Sequence, residues 1–221
     1  MNKDYIKKHV LGFFKAGKDK NHRFKSWEYC YRYFRWLKDH PKAFRKNPDF
    51  ACVHLGFYLA SWGMYRGSSF LLTKSFQIHR RPIRKLLNRK YGFLWNADIG
   101  TLSQPKTVKA VLELAKSLRE LYPNHITDTL LTKILLGTIG CTPAFDRFFK
   151  DGCKKKRVRP YSNFSKGSLR TLIQFYQNHC GVFASIQKKI ERSSGVSYPP
   201  MKLVDMFFWS VGSKKKYNRI E

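Results

Sequence analysis

The residues best suited to bind a phosphate lie in one segment near the middle of the chain, residues 127–149. An apolar stretch predicted to be helical leads to Gly137, Gly140 and Thr142, and a second predicted helix follows Pro143. Glycine lets the backbone approach a ligand closely, and free N–H groups at a helix N-terminus bind phosphate without reading base sequence. We therefore expect Gly137, Gly140 and Thr142 to contact a nucleic-acid backbone.

This segment resembles the helix–hairpin–helix element of DNA glycosylases and of bacterial proteins related to them. The resemblance covers the apolar run with Lys133, the glycine-bearing turn and Asp146, and separately an aspartate, Asp205, that precedes an apolar run near the C-terminus. In that family a lysine and an aspartate line a cleft between helices. The resemblance thus implies Lys133 as the amine, with either Asp146 or Asp205 as the carboxylate.

Such residues would serve base excision. The enzyme flips a nucleotide into a pocket, a carboxylate stabilises the positive charge on the sugar, and a lysine amine with a lowered pKa attacks the sugar carbon. A structural interpretation uses the same residues. In it, Asp146 pairs with Arg147 or Arg170. Lys133 then lies at the surface, and Asp205 caps a helix or pairs locally.

A second unusual segment, residues 61–69, follows a long uncharged run. Arg66 lies there close to Ser68 and Ser69, and either serine suits the N-cap of a helix. An arginine beside a buried helix needs a compensating anion. That anion is either a bound phosphate or an internal acid such as Glu28, so Arg66 is a candidate nucleic-acid contact.

The histidines suggest a different enzyme, because two arginine–histidine pairs match the spacing found in helical ribonuclease toxins of the HEPN type. These pairs are Arg35 with His40 and Arg119 with His125. This resemblance implies RNA cleavage as an alternative to base excision. A third alternative is a non-catalytic nucleic-acid-binding subunit of an assembly, so the sequence leaves open whether the protein is an enzyme.

The charge of the chain favours nucleic acid as the partner under all three alternatives. There are 44 Lys and Arg against 14 Asp and Glu, a formal net charge of +30, whereas solubility needs only about 2–8 for a small domain. Basic residues cluster at 15–25, 80–90 and 147–170, and the last cluster holds nine of them with one acid. It supplies the predicted phosphate contacts Lys154, Lys155, Lys156, Arg157 and Arg159. The hairpin-like segment nearby favours DNA slightly over RNA.

Other function classes lack their sequence signatures. The five cysteines form no Cys-x-x-Cys pair and no zinc-finger spacing, which predicts reduced thiols. Walker-type and dinucleotide-binding glycine loops are absent as well, so we predict no metal and no cofactor. The longest uncharged run, residues 50–65, falls short of the length that a bilayer requires. We expect no membrane partner, no signal peptide and a cytoplasmic location.

Helical periodicity dominates the chain, and hairpin-type turn signals between strands are absent, so the sequence predicts an all-α fold. We expect a compact multi-helix domain over residues 1–213 that contains the helix–hairpin–helix-like element. It forms either one body or two closely packed lobes with a loose boundary near 96–104. Residues 214–221 are predicted to be a basic tail. Ser26 is a predicted N-cap, and so is either Thr127 or Asp128.

Overall fold

The computed structural model describes residues 1–123 and 126–213, and within those ranges no residue forms a β-strand. The predicted all-α fold is confirmed. The α-helices are α1 Lys3–Ala16, α2 Lys25–Asp39, α3 Pro41–Lys46, α4 Pro48–Ser61, α5 Arg80–Leu86, α6 Ile99–Ser103, α7 Pro105–Leu121, α8 Asp128–Thr138, α9 Arg147–Lys155, α10 Lys166–Gln177, α11 Cys180–Ser194 and α12 Pro200–Gly212. Short 3-10 segments add Phe70–Thr73, Phe76–His79 and Arg89–Asn96.

Several helices begin where a polar side chain caps the first turn. Thr127, Asp146 and Ser165 accept hydrogen bonds from backbone N–H groups of α8, α9 and α10. A cap oxygen satisfies an N–H group that has no partner within the helix. The prediction for Thr127 is confirmed. The prediction for Ser26 is wrong, because α2 begins one residue earlier and buried Ser26 donates its hydroxyl to the Arg23 carbonyl.

The last helix, α12, lies at the centre of the fold. All of its residues except Ser210 are buried, and it packs chiefly against α9 and α1. A Cβ atom at Gly152 of α9 would lie 1.9 Å from the Phe208 carbonyl oxygen, and one at Gly212 would lie 1.8 Å from the Phe148 carbonyl oxygen. The backbones of α9 and α12 therefore approach each other at a distance that only glycine permits.

A second group of helices, α2, α4 and α8, packs together and fixes the position of α8. A Cβ atom at Gly137 of α8 would lie 2.3 Å from Cε1 of Tyr58 on α4. On the other side, Trp27 Nε1 of α2 donates a hydrogen bond of 3.0 Å to the Leu136 carbonyl. Side chains of α8 are thereby held in a fixed register against two neighbouring helices.

A chain of three polar side chains, of which His79 and Tyr122 are buried, links the start of α5 and the end of α7 to the segment after α4. The His79 ring lies between two tyrosine hydroxyls, 2.7 Å from Tyr65 and 2.8 Å from Tyr122. Burial lowers the pKa of His79 to about 4, so the ring is neutral at neutral pH. A neutral imidazole donates through one nitrogen and accepts through the other, which satisfies both hydroxyls without an ionised group.

The predicted boundary near residues 96–104 contains α6, which packs against α10 and α7 through the buried Leu102. Whether the chain forms one body or two lobes stays a prediction. The predicted basic tail, 214–221, lies outside the described residues.

The predicted helix–hairpin–helix element is not confirmed. Helix α9 packs against α12, whereas α8 packs against α2 and α4. Between them, residues 139–146 run back along α8. Phe145 donates its N–H to Thr132 Oγ1 at 2.8 Å and accepts from Thr129 Oγ1 at 2.9 Å. This connection brings the N-terminus of α9 to the middle of α8 and does not pair the two helices.

Candidate functional site

The first candidate site forms where the N-terminus of α9 meets α8. Asp146 caps α9 by accepting from the Phe149 N–H at 3.0 Å. Its second carboxylate oxygen lies 3.0 Å from Lys133 Nζ. The Lys133 side chain is 3% exposed and that of Asp146 is 16% exposed, so this is a largely buried ion pair that joins α8 to α9. The structural interpretation of the sequence expected Lys133 at the surface, whereas the structure buries it.

A second ion pair lies within α12, between Lys202 Nζ and Asp205 Oδ2 at 2.9 Å. Both side chains are almost fully buried. The other oxygen of Asp205 accepts from the Ala144 N–H at 3.0 Å, which anchors the segment that precedes α9. Sequence reasoning missed Lys202. The available signal was a lysine three residues before Asp205 on an otherwise apolar helix.

These two ion pairs share one small cavity, and we call the four residues Lys133, Asp146, Lys202 and Asp205 the lysine–aspartate cluster. Aromatic rings surround the two amines. Lys133 Nζ lies 5.0 Å from the centre of the Trp62 ring, and Lys202 Nζ lies 4.7 Å from that of Trp27. Ring faces carry negative potential and attract ammonium groups at these distances. The cluster is therefore stabilised both by carboxylates and by aromatic rings.

The electrostatics of the cluster are dominated by burial. Burial lowers the pKa of Lys202, the nearby Lys133 charge lowers it further, and Asp205 opposes both effects. The Tyr58 hydroxyl, in a side chain that lines the same cavity, has a pKa raised well above its usual value by burial and then by the Asp205 carboxylate. A buried ammonium group with a lowered pKa is the kind of amine that can act as a nucleophile.

The cavity at the cluster is too small to hold a nucleobase. Its volume is about 10 Å³, close to the minimum for one water molecule, whereas ligand pockets are typically about 300–1,000 Å³. The structure thus brings together the three residues that the sequence proposed for catalysis, Lys133, Asp146 and Asp205, and adds Lys202. In this conformation their hydrogen bonds hold protein groups, and no substrate has access.

The three residues predicted to contact phosphate at the turn lie in the interior. Gly137, Gly140 and Thr142 are all buried. Gly140 has a φ of +78°, and a Cβ atom there would lie 2.5 Å from the Pro199 ring. Close approach is indeed what these glycines provide, but the approaching groups are protein side chains. The expectation that the three residues contact phosphate does not fit this structure.

The predicted contacts at residues 154–159 divide into two groups. Lys155 Nζ donates to the Val211 carbonyl at the end of α12, and Lys156 Nζ lies 3.8 Å from the centre of the Tyr5 ring. Both amines therefore have contacts within the protein. The remaining predicted contacts of this segment are exposed at the surface: Lys154, Arg157 and Arg159.

Arg66 is exposed and lies in the turn after α4. The internal acid suggested for it, Glu28, accepts instead from the Tyr198 hydroxyl at 2.7 Å and pairs with Lys25 at 3.0 Å. Of the two alternatives for Arg66, pairing with Glu28 is not found, and binding of an external anion stays a prediction. Ser69, one of the two predicted caps, accepts from the Leu71 N–H of the following 3-10 segment.

Two members of the arginine–histidine pairs of the ribonuclease alternative, His40 and Arg119, have contacts within the protein. His40 stacks on Trp36 and hydrogen-bonds through Nδ1 to the Trp36 carbonyl. Arg119 pairs with Asp128 at the start of α8, so its guanidinium serves a structural contact. His125 lies outside the described residues.

A group of exposed cations flanks a groove between α7 and α10. The groove has a volume of about 520 Å³, and Pro105 and Leu112 are among its lining residues. Five exposed cations line it, and we call it the basic groove: Lys106, Lys109, Lys116, Lys166 and Arg170. Its one acid, Glu113, pairs with Lys90 at 3.1 Å. The sequence placed Lys166 and Arg170 in its densest basic cluster, but tertiary packing was needed to add three lysines of α7.

Comparison with known proteins adds no relative: no family model, no curated protein and no solved structure matches the chain. Within residues 1–123 and 126–213, no helix has the length and apolar character needed to cross a bilayer. The same residues contain no group of histidine, cysteine and acidic side chains arranged to hold a metal ion. The function has to be inferred from the surface and the cluster themselves.

Proposed function

We propose that the protein binds nucleic acid through the phosphate backbone and that the basic groove is the principal contact surface. The supporting observation is the set of five exposed cations around one groove, with its single acid already paired. Cations at this density repel one another, and a polyanion relieves that repulsion. Each phosphate they neutralise also releases condensed counterions, which drives association.

The spacing of the cations on α7 suits a phosphate backbone. Lys106, Lys109 and Lys116 span ten residues, which is about 15 Å along a helix. Successive phosphates of one B-DNA strand are about 3.4 Å apart along the axis, so this row of lysines extends over about four phosphates. Backbone contacts of this kind position a strand without reading its sequence.

The exposed part of the 154–159 segment extends this surface. The Arg159 carbonyl accepts from Thr171 Oγ1 of α10 at 3.2 Å, which places Arg159 beside the helix that carries Lys166 and Arg170. Arg157 precedes Arg159 in the same loop, Lys154 lies in the last turn of α9, and both are exposed. We therefore assign these three residues to the same nucleic-acid surface as the basic groove.

The experiment is a titration of labelled duplex DNA and of single-stranded RNA, followed by fluorescence anisotropy at several salt concentrations. Both ligands are needed because the preference for DNA depends on a helix–hairpin–helix element that is not confirmed. We expect log Kobs to fall linearly with log salt. A variant with Lys106→Gln, Lys109→Gln and Arg170→Gln should lose about 2.7 units of that slope, about 0.9 for each lost phosphate contact.

The matched control removes the same charge from another face. Lys188, Lys189 and Arg192 are exposed on α11, and the triple change of these residues to Gln, Gln and Gln should retain most of the slope. Equal losses from the two triple variants would assign the binding to total charge and remove the groove from the proposal. Absence of binding by the native chain at low salt would overturn the proposed function itself.

Base excision at the lysine–aspartate cluster is a second candidate function. The observation that favours it is the convergence of Lys133, Asp146 and Asp205 on one cavity. The cavity would have to open, because a base cannot enter about 10 Å³. In the reaction, the lysine nitrogen bonds to the sugar C1′ as the base leaves with the electrons of the glycosidic bond. One proton of the lysine amine goes to the departing base and the other to O4′ as the C1′–O4′ bond opens, and the sugar–lysine imine that results can be reduced by borohydride.

The test is borohydride trapping on duplex DNA that contains damaged bases. We expect a covalent protein–DNA product with the native chain and none with Lys133→Ala, with circular dichroism showing that the variant is folded. Lys202→Ala run in parallel shows which amine reacts. Equal trapping by the native chain and by both variants would assign the product to surface lysines and remove this candidate.

A further inference from the structure

A second large groove lies apart from both the basic groove and the lysine–aspartate cluster. It forms between α2, the start of α6 and the turn at residues 195–200, and its volume is about 670 Å³. This size falls within the range of small-molecule sites, about 300–1,000 Å³. We call it the arginine groove, because two arginines of α2, Arg32 and Arg35, line one side.

Arg35 is the unusual residue of this groove. Its Nη1 atom is buried and has no hydrogen-bond partner among the described residues. A guanidinium group remains charged in proteins, and a buried donor without an acceptor costs free energy. Such a group is consistent with an acceptor that is present only when a ligand is bound.

Arg35 has an acidic neighbour on α2, Asp39, whose pKa is lowered first by Lys38 and to a smaller extent by Arg35. The Asp39 carboxylate pairs with Lys38 at 2.8 Å and forms no ion pair with Arg35. Arg32 lies three residues earlier on the same helix, is exposed and lines the same groove. The one carboxylate of the lining, Asp98, caps α6 by accepting from the Thr101 N–H at 2.7 Å and pairs with neither arginine. Two guanidinium groups at one groove can together bind the oxygens of a phosphate.

The remaining wall of the arginine groove is aromatic. Rings of four residues line it, and they are Tyr31, Trp95, Tyr176 and Tyr198. Each of these side chains is at most 6% exposed, so their positions are fixed by packing. Tyr31 already stacks on Trp27 and Tyr176 on Phe183. The wall therefore offers a planar base a rigid apolar surface beside the arginines, with little free ring face.

We propose that the arginine groove binds a phosphorylated nucleoside, with the phosphate on Arg35 and Arg32 and the base against the aromatic wall. The unit is either a free mononucleotide or the 5′-phosphorylated end of a single strand. This goes beyond backbone binding at the basic groove, because it requires a phosphate and a base in one defined site.

Isothermal titration calorimetry with adenosine 5′-monophosphate, adenosine and inorganic phosphate tests the proposal. At physiological salt the nucleotide should bind at least tenfold more tightly than either part alone. A second arm compares an oligonucleotide that has a 5′-phosphate with the same oligonucleotide that has a 5′-hydroxyl. Tight binding of the free nucleotide identifies a small-molecule site, and a tenfold preference for the phosphorylated strand alone identifies recognition of an end.

Three variants localise the binding. Arg35→Gln should weaken nucleotide binding at least tenfold. Arg45→Gln removes the same charge from an exposed position on α3 and should leave the affinity unchanged. Ser197→Trp fills the groove from an exposed lining residue, and it should also abolish binding. If Arg35→Gln does not fold, the affinity of Ser197→Trp for the nucleotide shows whether the arginine groove is the binding site.

Two results would overturn the inference. One is the absence of nucleotide binding at millimolar concentration, together with no preference for a 5′-phosphate, in a native chain whose salt-dependent DNA or RNA binding is intact. That outcome removes the arginine groove and leaves the proposed function standing. The other is equal weakening by Arg35→Gln and Arg45→Gln combined with normal binding by Ser197→Trp, which would place the nucleotide elsewhere.

Discussion

Two groups of lysines in this protein occupy opposite environments. Lys133 and Lys202 are each 3% exposed, and each has a carboxylate oxygen within 3.0 Å. The lysines of the basic groove, among them Lys106 and Lys109, are exposed and have no ion-pair partner among the described residues. One group resembles a set of catalytic residues and is enclosed by protein. The other has no catalytic partner and is open to solvent.

The difference separates what charge does inside this fold from what it does outside. At the cluster, Asp146 and Asp205 each bind one lysine and one backbone N–H, so the carboxylates fix the segment between α8 and α9. In the basic groove, the ammonium groups have water as their partner and exchange it readily for phosphate. Burial therefore favours a positioning role for the first group, and exposure favours ligand binding for the second.

The largest effect is expected from breaking one buried pair. Asp205→Ala leaves the Lys202 ammonium without its carboxylate and the Ala144 N–H without an acceptor. Loss of one partner of a buried pair typically costs about 3–5 kcal/mol. Urea unfolding followed by circular dichroism measures this as a large fall in the midpoint.

Two controls make this result specific. Asp39→Ala removes the partner of Lys38 at the surface, where the Asp39 side chain is 61% exposed, and it should leave the urea midpoint unchanged. The double variant Lys202→Met with Asp205→Asn removes both charges but keeps an acceptor for Ala144, so it should recover most of the lost stability. Equal losses from Asp205→Ala and Asp39→Ala would contradict the contrast between interior and surface.

The next effect concerns a buried group that is neutral. The pKa of His79 is lowered from 6.5 to about 4. Between these values the unfolded chain binds a proton that the folded chain does not. Stability should therefore be lost as the pH falls from about 6.5 through about 4, by up to about 3 kcal/mol from this residue. Thermal unfolding across this range should show a weaker pH dependence in His79→Gln than in the native chain.

The matched variant is His40→Gln, the same substitution at an exposed histidine, which should keep the native pH dependence. If both variants follow the native curve, burial of His79 between Tyr65 and Tyr122 does not set the acid stability of the protein.

A smaller loss of stability is expected from disturbing the packing between α9 and α12. Such a change alters the shape of the contact next to the cluster and leaves its charges in place. In Gly152→Ala the new methyl group meets the Phe208 carbonyl oxygen at 1.9 Å, a backbone atom that cannot move independently. Overpacking of this kind typically costs about 1–3 kcal/mol. Gly12→Ala, in α1 with nothing within 4 Å, should instead stabilise by up to about 1 kcal/mol through helix propensity. A stable Gly152→Ala protein would show that the two helices can separate.

Local sequence signals predicted several elements correctly because they depend on neighbouring residues only. Thr127 caps α8, since a hydroxyl before an apolar run can reach the N–H three residues later. The all-α fold followed from periodicity in the same way. The N-cap prediction for Ser26 was wrong because its hydroxyl donates to the carbonyl of Arg23, three residues earlier. A serine can either accept from a backbone N–H as an N-cap or donate to a nearby carbonyl, and its sequence neighbours do not distinguish the two.

The site was less predictable because it depends on which helices meet. Gly140 was predicted to allow close approach of a phosphate, but the group that approaches it is Pro199, and Gly137 likewise meets Tyr58. Lys202 was missed although it lies three residues before Asp205 on an apolar helix. Its place in the cluster depends on α12 becoming the centre of the fold, which local sequence does not show. The resemblance to glycosylases named three residues of one cluster, while the helix pairing that it implied is not confirmed.

The smallest effect on stability is expected from single charges in the basic groove, and it is the sharpest test of the contrast. Lys109→Gln should change the free energy of unfolding by less than about 0.5 kcal/mol. At low salt the substitution should raise the free energy of unfolding, because removing one cation from a chain of net charge +30 reduces self-repulsion. The gain should vanish in 1 M salt, where the Debye length is only about 3 Å.

The matched substitution is Lys133→Gln, which removes a buried cation from Asp146. It should be strongly destabilising at every salt concentration, since a buried pair is screened far less than an exposed charge. Thermal unfolding of both variants in 0.02 M and 1 M salt measures the difference directly. If Lys109→Gln destabilised the chain as Lys133→Gln does, the groove lysines would be part of the fold, and their assignment to a phosphate partner would lose its physical basis.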